Sequence, residues 1–583
     1  MMSNSTSFRG YGKLDETEQA RLEARQKTRK RMTIISLSTI VLVTIVVAVM
    51  VGPTQSHAGK QKPDSSSDSR PYYSSIKALC NLAVYPDSCF SSLSPIANVN
   101  HLDPESLFKL SLEVALKEIS NAASLPEKLT RKLNDTAIAP ALEVCSQVLT
   151  DAVDQLNITI TSVECNSRNL AGILSQENVD DLKSWLSAAI TDVETCLEGF
   201  EDANQVLVSQ IHESLRNSTE FTSNSLAILA GITNVLGSLN IPTHRRLLGH
   251  FSGDFPSWIT SKDRRLLQSF DPRDAADFVV AKDGSGKYKN ISAAIKAVPK
   301  QSKKRIVIYV KQGRYVENVV LDKDKWNVMI VGDGMNSTIV TGGLNVIDGT
   351  PTFNTATLAV FGKGFIGMDI GFQNIAGPEK HQAVALMVSA DQTVCYRCLA
   401  DGYQDTLYVH KLRQFYKNCT ISGTVDFIFG NSAVVFQDCK ILAKQPMLGQ
   451  QITITAQGRT DPNQNTGISI HRCIIAGAQT LKGVESYLGR PWKNYSTTVY
   501  MNSMLGDIIN PNGWLPWTGN SAPDTIFYGE YGNYGPGSNT SERVKWRGYK
   551  KLTTSQANKF TAKSFIHGYK WISTMGVPYS KGL

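Results

Sequence analysis

The chain has 583 residues, more than one hydrophobic core ordinarily supports, so two or more domains are expected. Its composition, 42% apolar and 19% charged, is globular and excludes a disordered chain. The net charge of +9 hides a division: residues 72–240 hold 9 basic and 21 acidic residues, net −12, whereas residues 268–583 hold 35 and 22, net +13. Opposite signs predict two parts that attract one another, or a different partner for each.

Residues 1–32 are polar, with Arg21, Arg25, Lys27, Arg29, Lys30 and Arg31 clustered at their end. The uncharged run Thr33–Val51 follows. As a helix it would span ~28 Å, close to a bilayer core, and the basic flank places its N-terminal side in the cytosol. A transmembrane signal anchor at 33–51 is expected. The alternative is a secretory signal peptide cut after the small-residue segment Ser56-His57-Ala58. Either way the bulk of the chain enters the secretory lumen. Residues 52–71 read as a flexible linker.

From 72 to 240 the pattern becomes helical. Asp103-Pro104 is a helix start, with proline at the first helical position. Leu107, Leu110 and Val114 recur at helical spacing, as do Leu182, Trp185, Ala189, Val193 and Cys196. Short connections predict an antiparallel helical bundle. Residues 241–267 form a second linker that carries Arg245-Arg246-Leu247-Leu248 and again Arg264-Arg265-Leu266-Leu267. A dibasic motif repeated with the same two leucines reads as a processing site.

The last part, 268–583, opens on Asp283-Gly284-Ser285-Gly286-Lys287. This lacks the full phosphate-loop pattern and predicts a turn before a helix at Ile291–Val298. Strands are expected at Ile306–Val310 and Val328–Val331. Cys398, Cys419 and Cys439 then recur 21 and 20 residues apart, with Cys473 after a longer loop. Similar apolar text surrounds each. A period near 20 with one strand group per repeat predicts a parallel β-helix, with coils continuing through Ile475.

Within that ladder, Asp405 (Gly402-Tyr403-Gln404-Asp405-Thr406-Leu407-Tyr408) and Asp426 (Gly423-Thr424-Val425-Asp426-Phe427-Ile428-Phe429) are one period apart. Stacking at ~4.8 Å predicts carboxylates roughly 4–6 Å apart on one face. Gln382, 22 residues before Gln404, is expected one coil earlier. Two carboxyls in a partly buried site push one pKa up, which yields an acid beside a nucleophile or base. Two glutamine amides beside them suit a developing oxyanion. A polar ladder that merely caps the solenoid would not explain four such groups at one period.

These segments, with His381-Gln382-Ala383-Val384-Ala385-Leu386 upstream and Leu488-Gly489-Arg490-Pro491-Trp492 downstream, resemble plant pectinesterase (pectin methylesterase) from about Phe278 to the C-terminus. The resemblance implies a right-handed parallel β-helix acting on methyl-esterified polygalacturonate. It implies Asp426 as nucleophile, Asp405 as proton donor, and Gln404 and Gln382 as stabilisers of the transition state. It implies Arg490 as the partner of Asp426, and Trp492 and Thr352 lining the sugar site. Trp514, Trp517, Trp546 and Trp571 are expected to pack the solenoid and its cap. Met387 and Thr497 stand where the family commonly has arginine. The helical part resembles the plant invertase/pectinesterase inhibitor family, which implies disulfides Cys80–Cys89 and Cys145–Cys196 and leaves Cys165 as a free, buried thiol.

Cys419 and Cys439, one coil apart, predict a further disulfide. Cys395 and Cys398 form a C-x-x-C without a second half, so no zinc site is expected. No metal, cofactor or nucleic-acid partner is expected. His381 and His410 read as ordinary surface or loop residues. Ten cysteines and sequons at Asn134, Asn157, Asn217, Asn290, Asn336, Asn418, Asn494 and Asn539 fit an oxidising, glycosylating compartment. The expected function is an aspartyl esterase of cell-wall pectin, exported as a membrane-anchored precursor, with the helical domain as autoinhibitor or folding pro-region. Further expected partners are inhibitor proteins and a processing protease. Two alternatives stay open. A β-helix glycoside hydrolase could also use paired carboxyls, and an inactive β-helix would leave an inhibitor or binding protein.

Overall fold

A computed structural model describes residues 71–97, 104–133, 136, 138–166, 176–201, 203–238, 271–481 and 483–583. The expected anchor at 33–51, the two linkers apart from Pro71, the dibasic pairs and Asn134 lie outside them. Among the described residues no helix is long and apolar enough to cross a membrane.

Among the described residues, seven helices make up the N-terminal part: Pro71–Cys80, Pro86–Leu93, Pro104–Ala122, Leu125–Leu133, Ala139–Asn166, Gln176–Glu198 and Gln205–Ser238. The four longest form the bundle. Pro104–Ala122 packs on Ala139–Asn166 and Gln205–Ser238, and Gln176–Glu198 packs on the same two from the other side. The expected apolar stripe is what they bury: Leu107, Leu110, Leu182, Ala189, Val193 and Cys196 are in the core, and Val114 and Trp185 lean against it. Cys80–Cys89 joins the two short helices, and Cys145–Cys196 joins two bundle helices at a Cα separation of 4.2 Å. Closing that 51-residue span stabilises the domain by about 4 kcal/mol on a chain-entropy argument. Cys165 is free but exposed, not buried, because it falls in the last turn of its helix on the solvent side.

The C-terminal part is a parallel β-helix. Three sheets of 11, 7 and 8 strands run along it, and every named strand pair is parallel. Register is tight: Leu386, Leu407 and Ile428 stack on one another in the seven-stranded sheet. One turn repeats in coil after coil. Asp369, Arg397, Asn418, Asp438, Arg472 and Asn502 all adopt positive φ, between 48° and 57°. The residue after each is buried: Ile370, Cys398, Cys419, Cys439, Cys473 and Ser503.

That turn explains the cysteine period and corrects one expectation. Cys419 and Cys439 are not bonded. The backbone N–H of Cys398 donates to the Cys419 thiol at 3.4 Å, Cys419 to Cys439 at 3.4 Å, and Cys439 to Cys473 at 3.4 Å. The ladder ends where Cys473 donates to the Ser503 hydroxyl at 3.0 Å. Residues stacked in parallel register keep their Cβ atoms near the ~4.8 Å strand spacing, wider than the ~3.8 Å that a disulfide prefers. The period reflects a small side chain fitted beneath a turn, not a cross-link.

Candidate active site

The site lies on the outer face of the seven-stranded sheet. Strands Leu407–Val409 and Ile428–Gly430 pair Leu407 with Ile428, so Asp405 and Asp426, each two residues ahead, stack one coil apart. Both sit in the left-handed region, with φ of 60° and 50°. Non-glycine residues rarely adopt it, and such strain concentrates where the surrounding structure imposes an orientation. The turn before Asp426 depends on Gly423, since a Cβ there would collide with the Phe427 side chain and the Tyr403 carbonyl. Gly489 plays the same part opposite Thr455, letting the strand Ser486–Pro491 lie close enough to bring Arg490 in.

Asp426 is tightly held. Arg490 donates from Nε to Oδ1 at 2.9 Å and from Nη2 to Oδ2 at 2.6 Å, while Thr453 Oγ1 donates to Oδ1 at 2.6 Å. Asp405 is 8% exposed. Burial pushes its carboxyl well above the usual range, the Asp426 charge adds to this, and Arg490 partly opposes them. A forked, charge-assisted pair on one aspartate beside a partner whose pKa is raised is the asymmetry that acid and nucleophile roles require.

Both aspartates line a cavity of about 350 Å³ together with Gln382, Gln404, Thr352, Arg490 and Trp492, so all the candidate residues for catalysis and sugar binding converge. Gln404 Oε1 is buried without a hydrogen-bond partner among the described residues. Ala383 N–H donates to the Gln404 carbonyl at 3.2 Å, the same offset by which Leu407, paired with Ile428, donates to Phe427, so Gln382 lies beside Gln404 on the adjacent coil.

Aromatic rings form the floor. Tyr408 stacks on Phe429 at 4.2 Å, Phe429 meets Trp492 at 6.0 Å, and Phe353 sits edge-on to Tyr408. Tyr408 and Phe429 each follow their aspartate by three residues, a repeat that could have singled them out. Trp517 was expected in the solenoid packing. Instead it is 38% exposed at the cavity, with the Arg490 guanidinium 4.3 Å above its ring. Nothing in the local sequence distinguishes it from Trp514 and Trp571, which are buried. His410 is also not a surface residue. It is 1% exposed, 2.9 Å from both Ser389 Oγ and Thr195 Oγ1, and burial holds its pKa well below normal.

The helical domain covers this face. Val144, Thr195, Glu198, Gly199 and Glu201 line the same cavity as the aspartates. Met387, one of the two departures, is 1% exposed in an apolar cluster shared by both domains. Thr497 is buried at a strand start, where its N–H donates to Gln457 Oε1 at 2.8 Å. Around the apolar centre the opposite charges meet. Lys411 contacts Asp192 at 2.6 Å and Asp151 at 3.3 Å, and Lys323 reaches Asp154 at 2.5 Å. Arg413 pairs with Asp181 at 2.6 Å, and Lys493 with Glu194 at 2.8 Å and Glu198 at 3.0 Å. Burial pushes Asp192 up to about 7 and Glu198 up to about 8, with Lys411 and Lys493 opposing.

A family model for pectinesterase matches residues 277–569, and one for plant invertase/pectin methylesterase inhibitor matches residues 74–228. Pectinesterase 3 of Phaseolus vulgaris is 49% identical over 595 residues, covering 100% of both chains. A pectinesterase/pectinesterase inhibitor of Ficus pumila var. awkeotsang is 44% identical, over 89% of this chain and 94% of that one. Among solved structures, a pectin methylesterase from carrot is 53% identical with a TM-score of 0.52, covering 53% of this chain and 98% of its own. The β-helical half therefore corresponds to a chain that stands alone. With a paired-aspartate cleft on a parallel β-helix, and an inhibitor-like bundle in front of it, this chain belongs to the pectinesterase family.

Proposed function

We propose that the pectinesterase reaction runs through an acyl-enzyme on Asp426. The Asp426 carboxylate attacks the C6 carbonyl carbon of a methyl-esterified galacturonate. The carbonyl oxygen takes up negative charge beside the Gln404 and Gln382 amides. Collapse expels methoxide, which leaves as methanol with the Asp405 proton. The Asp405 carboxylate then takes a proton from water, whose oxygen attacks the same carbon and frees the Asp426 carboxylate. The observation that carries this reading is the asymmetry of the pair: Asp426 is locked by Arg490 and Thr453, while burial and the Asp426 charge push the Asp405 carboxyl well above the usual range. Trp492 and Thr352 serve as sugar contacts at the rim.

The test is methanol release from pectin by the β-helical part alone. Asp426→Ala is expected to lower it below a few per cent of the parent rate with no new reducing ends. Methanol release that persists in the variant refutes the assignment. New reducing ends from the parent protein would favour a backbone hydrolase instead.

In the same reading the helical domain is an autoinhibitor, because Thr195, Glu198 and Glu201 occupy the approach to the aspartates. Release follows cleavage at Arg245-Arg246 or Arg264-Arg265 by a processing protease, after export of a precursor anchored by 33–51, and the mature enzyme acts in the cell wall. The seven sequon asparagines among the described residues are all exposed, as glycosylation in a secretory compartment requires. Sequencing the N-terminus of protein recovered from the cell wall checks this. A terminus upstream of residue 241 would refute release by the linker.

A further inference from the structure

Away from the cleft, the turns that leave the seven-stranded sheet carry a second set of groups suited to a sugar acid. Strand Val319–Leu321 is followed by Lys323 and Trp326, strand Leu358–Val360 by Lys363, and strand Leu407–Val409 by Lys411. The turns stack along the solenoid axis and line one cavity of about 570 Å³ against the helical domain. Lys411 lies six residues beyond Asp405, across the strand width, so the two are up to ~20 Å apart.

Three features single out this cavity. First, it already holds carboxylates. Asp151 is shared between Lys323 at 3.4 Å and Lys411 at 3.3 Å, and Asp154 lies on Lys323; behind the lining, Asp192 accepts two bonds from Lys411 at 2.6 and 2.8 Å. Second, it has an aromatic face. Trp326 is fixed by its indole N–H donating to the Lys323 carbonyl at 2.9 Å, and the Lys363 ammonium stands 3.7 Å from its ring centroid. Third, Lys363 forms no ion pair among the described residues, and burial lowers its pKa. The native carboxylates nearby are engaged: Arg413 grips Asp391 with Nε at 2.9 Å, and Lys300 holds Asp324 at 2.9 Å.

We propose that, once the helical domain leaves, Trp326, Lys323, Lys363 and Lys411 form a second saccharide site for de-esterified galacturonan, whose carboxylate positions Asp151, Asp154 and Asp192 occupy in the intact chain. The proposal rests on the pectinesterase reading of the cleft and on release of the helical domain. The ligand class follows from charge. An ammonium favours a free carboxylate over a neutral methyl ester, and a tryptophan face suits the apolar side of a sugar ring. The site therefore binds the product, not the substrate. A polymer held there by its de-esterified stretch would present neighbouring esters to the cleft.

The experiment uses residues 268–583, since the main β-helical core contains no helical-domain residue and a chain of this extent stands alone in the carrot structure. Affinity is measured for de-esterified and for fully methyl-esterified galacturonan oligomers. The combined variant Lys323→Ala/Lys363→Ala/Lys411→Ala is expected to bind the de-esterified oligomer at least tenfold more weakly at 0.1 M salt, with a shallower salt dependence. Trp326→Ala should weaken binding at least fivefold with the salt dependence unchanged. Both should keep the parent kcat on a methyl-esterified oligomer too short to span the two sites, which also shows that they fold. A control variant, Lys287→Ala/Lys289→Ala/Lys296→Ala, removes equal charge elsewhere and should bind as the parent does. Affinity within twofold of the parent in the site variant overturns the proposal. So does an equal loss in the control, or an equal loss for the esterified oligomer. Loss of methanol release in the parent would instead count against the reading of the cleft.

Discussion

The interface between the two domains turns on one buried pair. Lys411 has 2% of its side chain exposed and Asp192 has none. Truncation by Lys411→Ala leaves the Asp192 carboxylate without its counter-ion in a dry contact. Breaking one side of such a pair costs about 3–5 kcal/mol, which is about two to three and a half orders of magnitude in an equilibrium constant. The intact tether would mask much of this, because a short flexible linker supplies an effective concentration on the order of millimolar. The measurement therefore uses the full chain with a specific protease sequence placed in the linker, cut before assay. The cut variant is expected to shed its helical domain on dilution and to release methanol at protein concentrations where the cut parent stays inhibited. Asp192→Asn in the same chain removes the stranded charge, so the double variant should recover most of the lost affinity. A shift of less than threefold for Lys411→Ala alone would show that the apolar contact around Met387 and Tyr408 holds the domains and that the pair contributes little.

Docking should also depend on pH. Glu198 rises from 4.5 to about 8 in the docked state, so docking takes up a proton there. Its contribution is present in full below about 4.5 and lost as pH rises through about 8, so the cut chain should be better inhibited at pH 5 than at pH 8. Asp192, raised to about 7, adds to the same slope, so Glu198→Gln should make the profile shallower without abolishing it, and a profile unchanged in the variant would refute the assignment. Gln404→Ala is expected to lower kcat on pectin by about 10²- to 10³-fold, the usual effect of losing one oxyanion donor, with KM nearly unchanged; a change confined to KM would make Gln404 a binding group. Denatured without reductant, the chain should titrate six free thiols, one exposed and five from the solenoid; a count of four would restore a bond within the cysteine ladder.

The sequence disclosed the β-helix and its aspartates because parallel coils translate a spatial ladder into a fixed period. Asp405 and Asp426 could be stacked on paper, and so could the cysteines. The same period was silent on what each ladder does. Cys419 and Cys439 lie one period apart, yet the spacing serves a left-handed turn with a small buried residue beneath it. Trp517 and His410 escaped for a different reason. Trp517 reaches the site from a non-periodic tail, and His410 has Thr195 of the other domain 2.9 Å from its ring. Contacts between domains leave no period in either one. The charge division predicted their attraction in sum, but not that Asp151, Asp181, Asp192, Glu194 and Glu198 would be the residues to meet the enzyme.

Those carboxylates also determine what can separate the two halves. A contact built from exposed ion pairs would loosen in salt, since charges more than ~10 Å apart are screened at 0.1 M. Here Lys411, Arg413 and Asp192 are nearly or wholly out of solvent, and Lys493 is 17% exposed, so screening reaches them poorly. Raising the ionic strength to cell-wall values would act mainly on the Lys323–Asp154 pair, whose side chains are 52% and 47% exposed. Two levers remain. Cutting the linker removes the effective concentration that keeps the bundle in place. Raising the pH ionises Glu198 against its burial. A demethylating enzyme adds a third lever of its own making. Each turnover converts a neutral ester into a carboxylate of the kind that now occupies Lys323 and Lys411. Once the bundle has left, that product should take the positions of Asp151 and Asp192 and oppose re-docking.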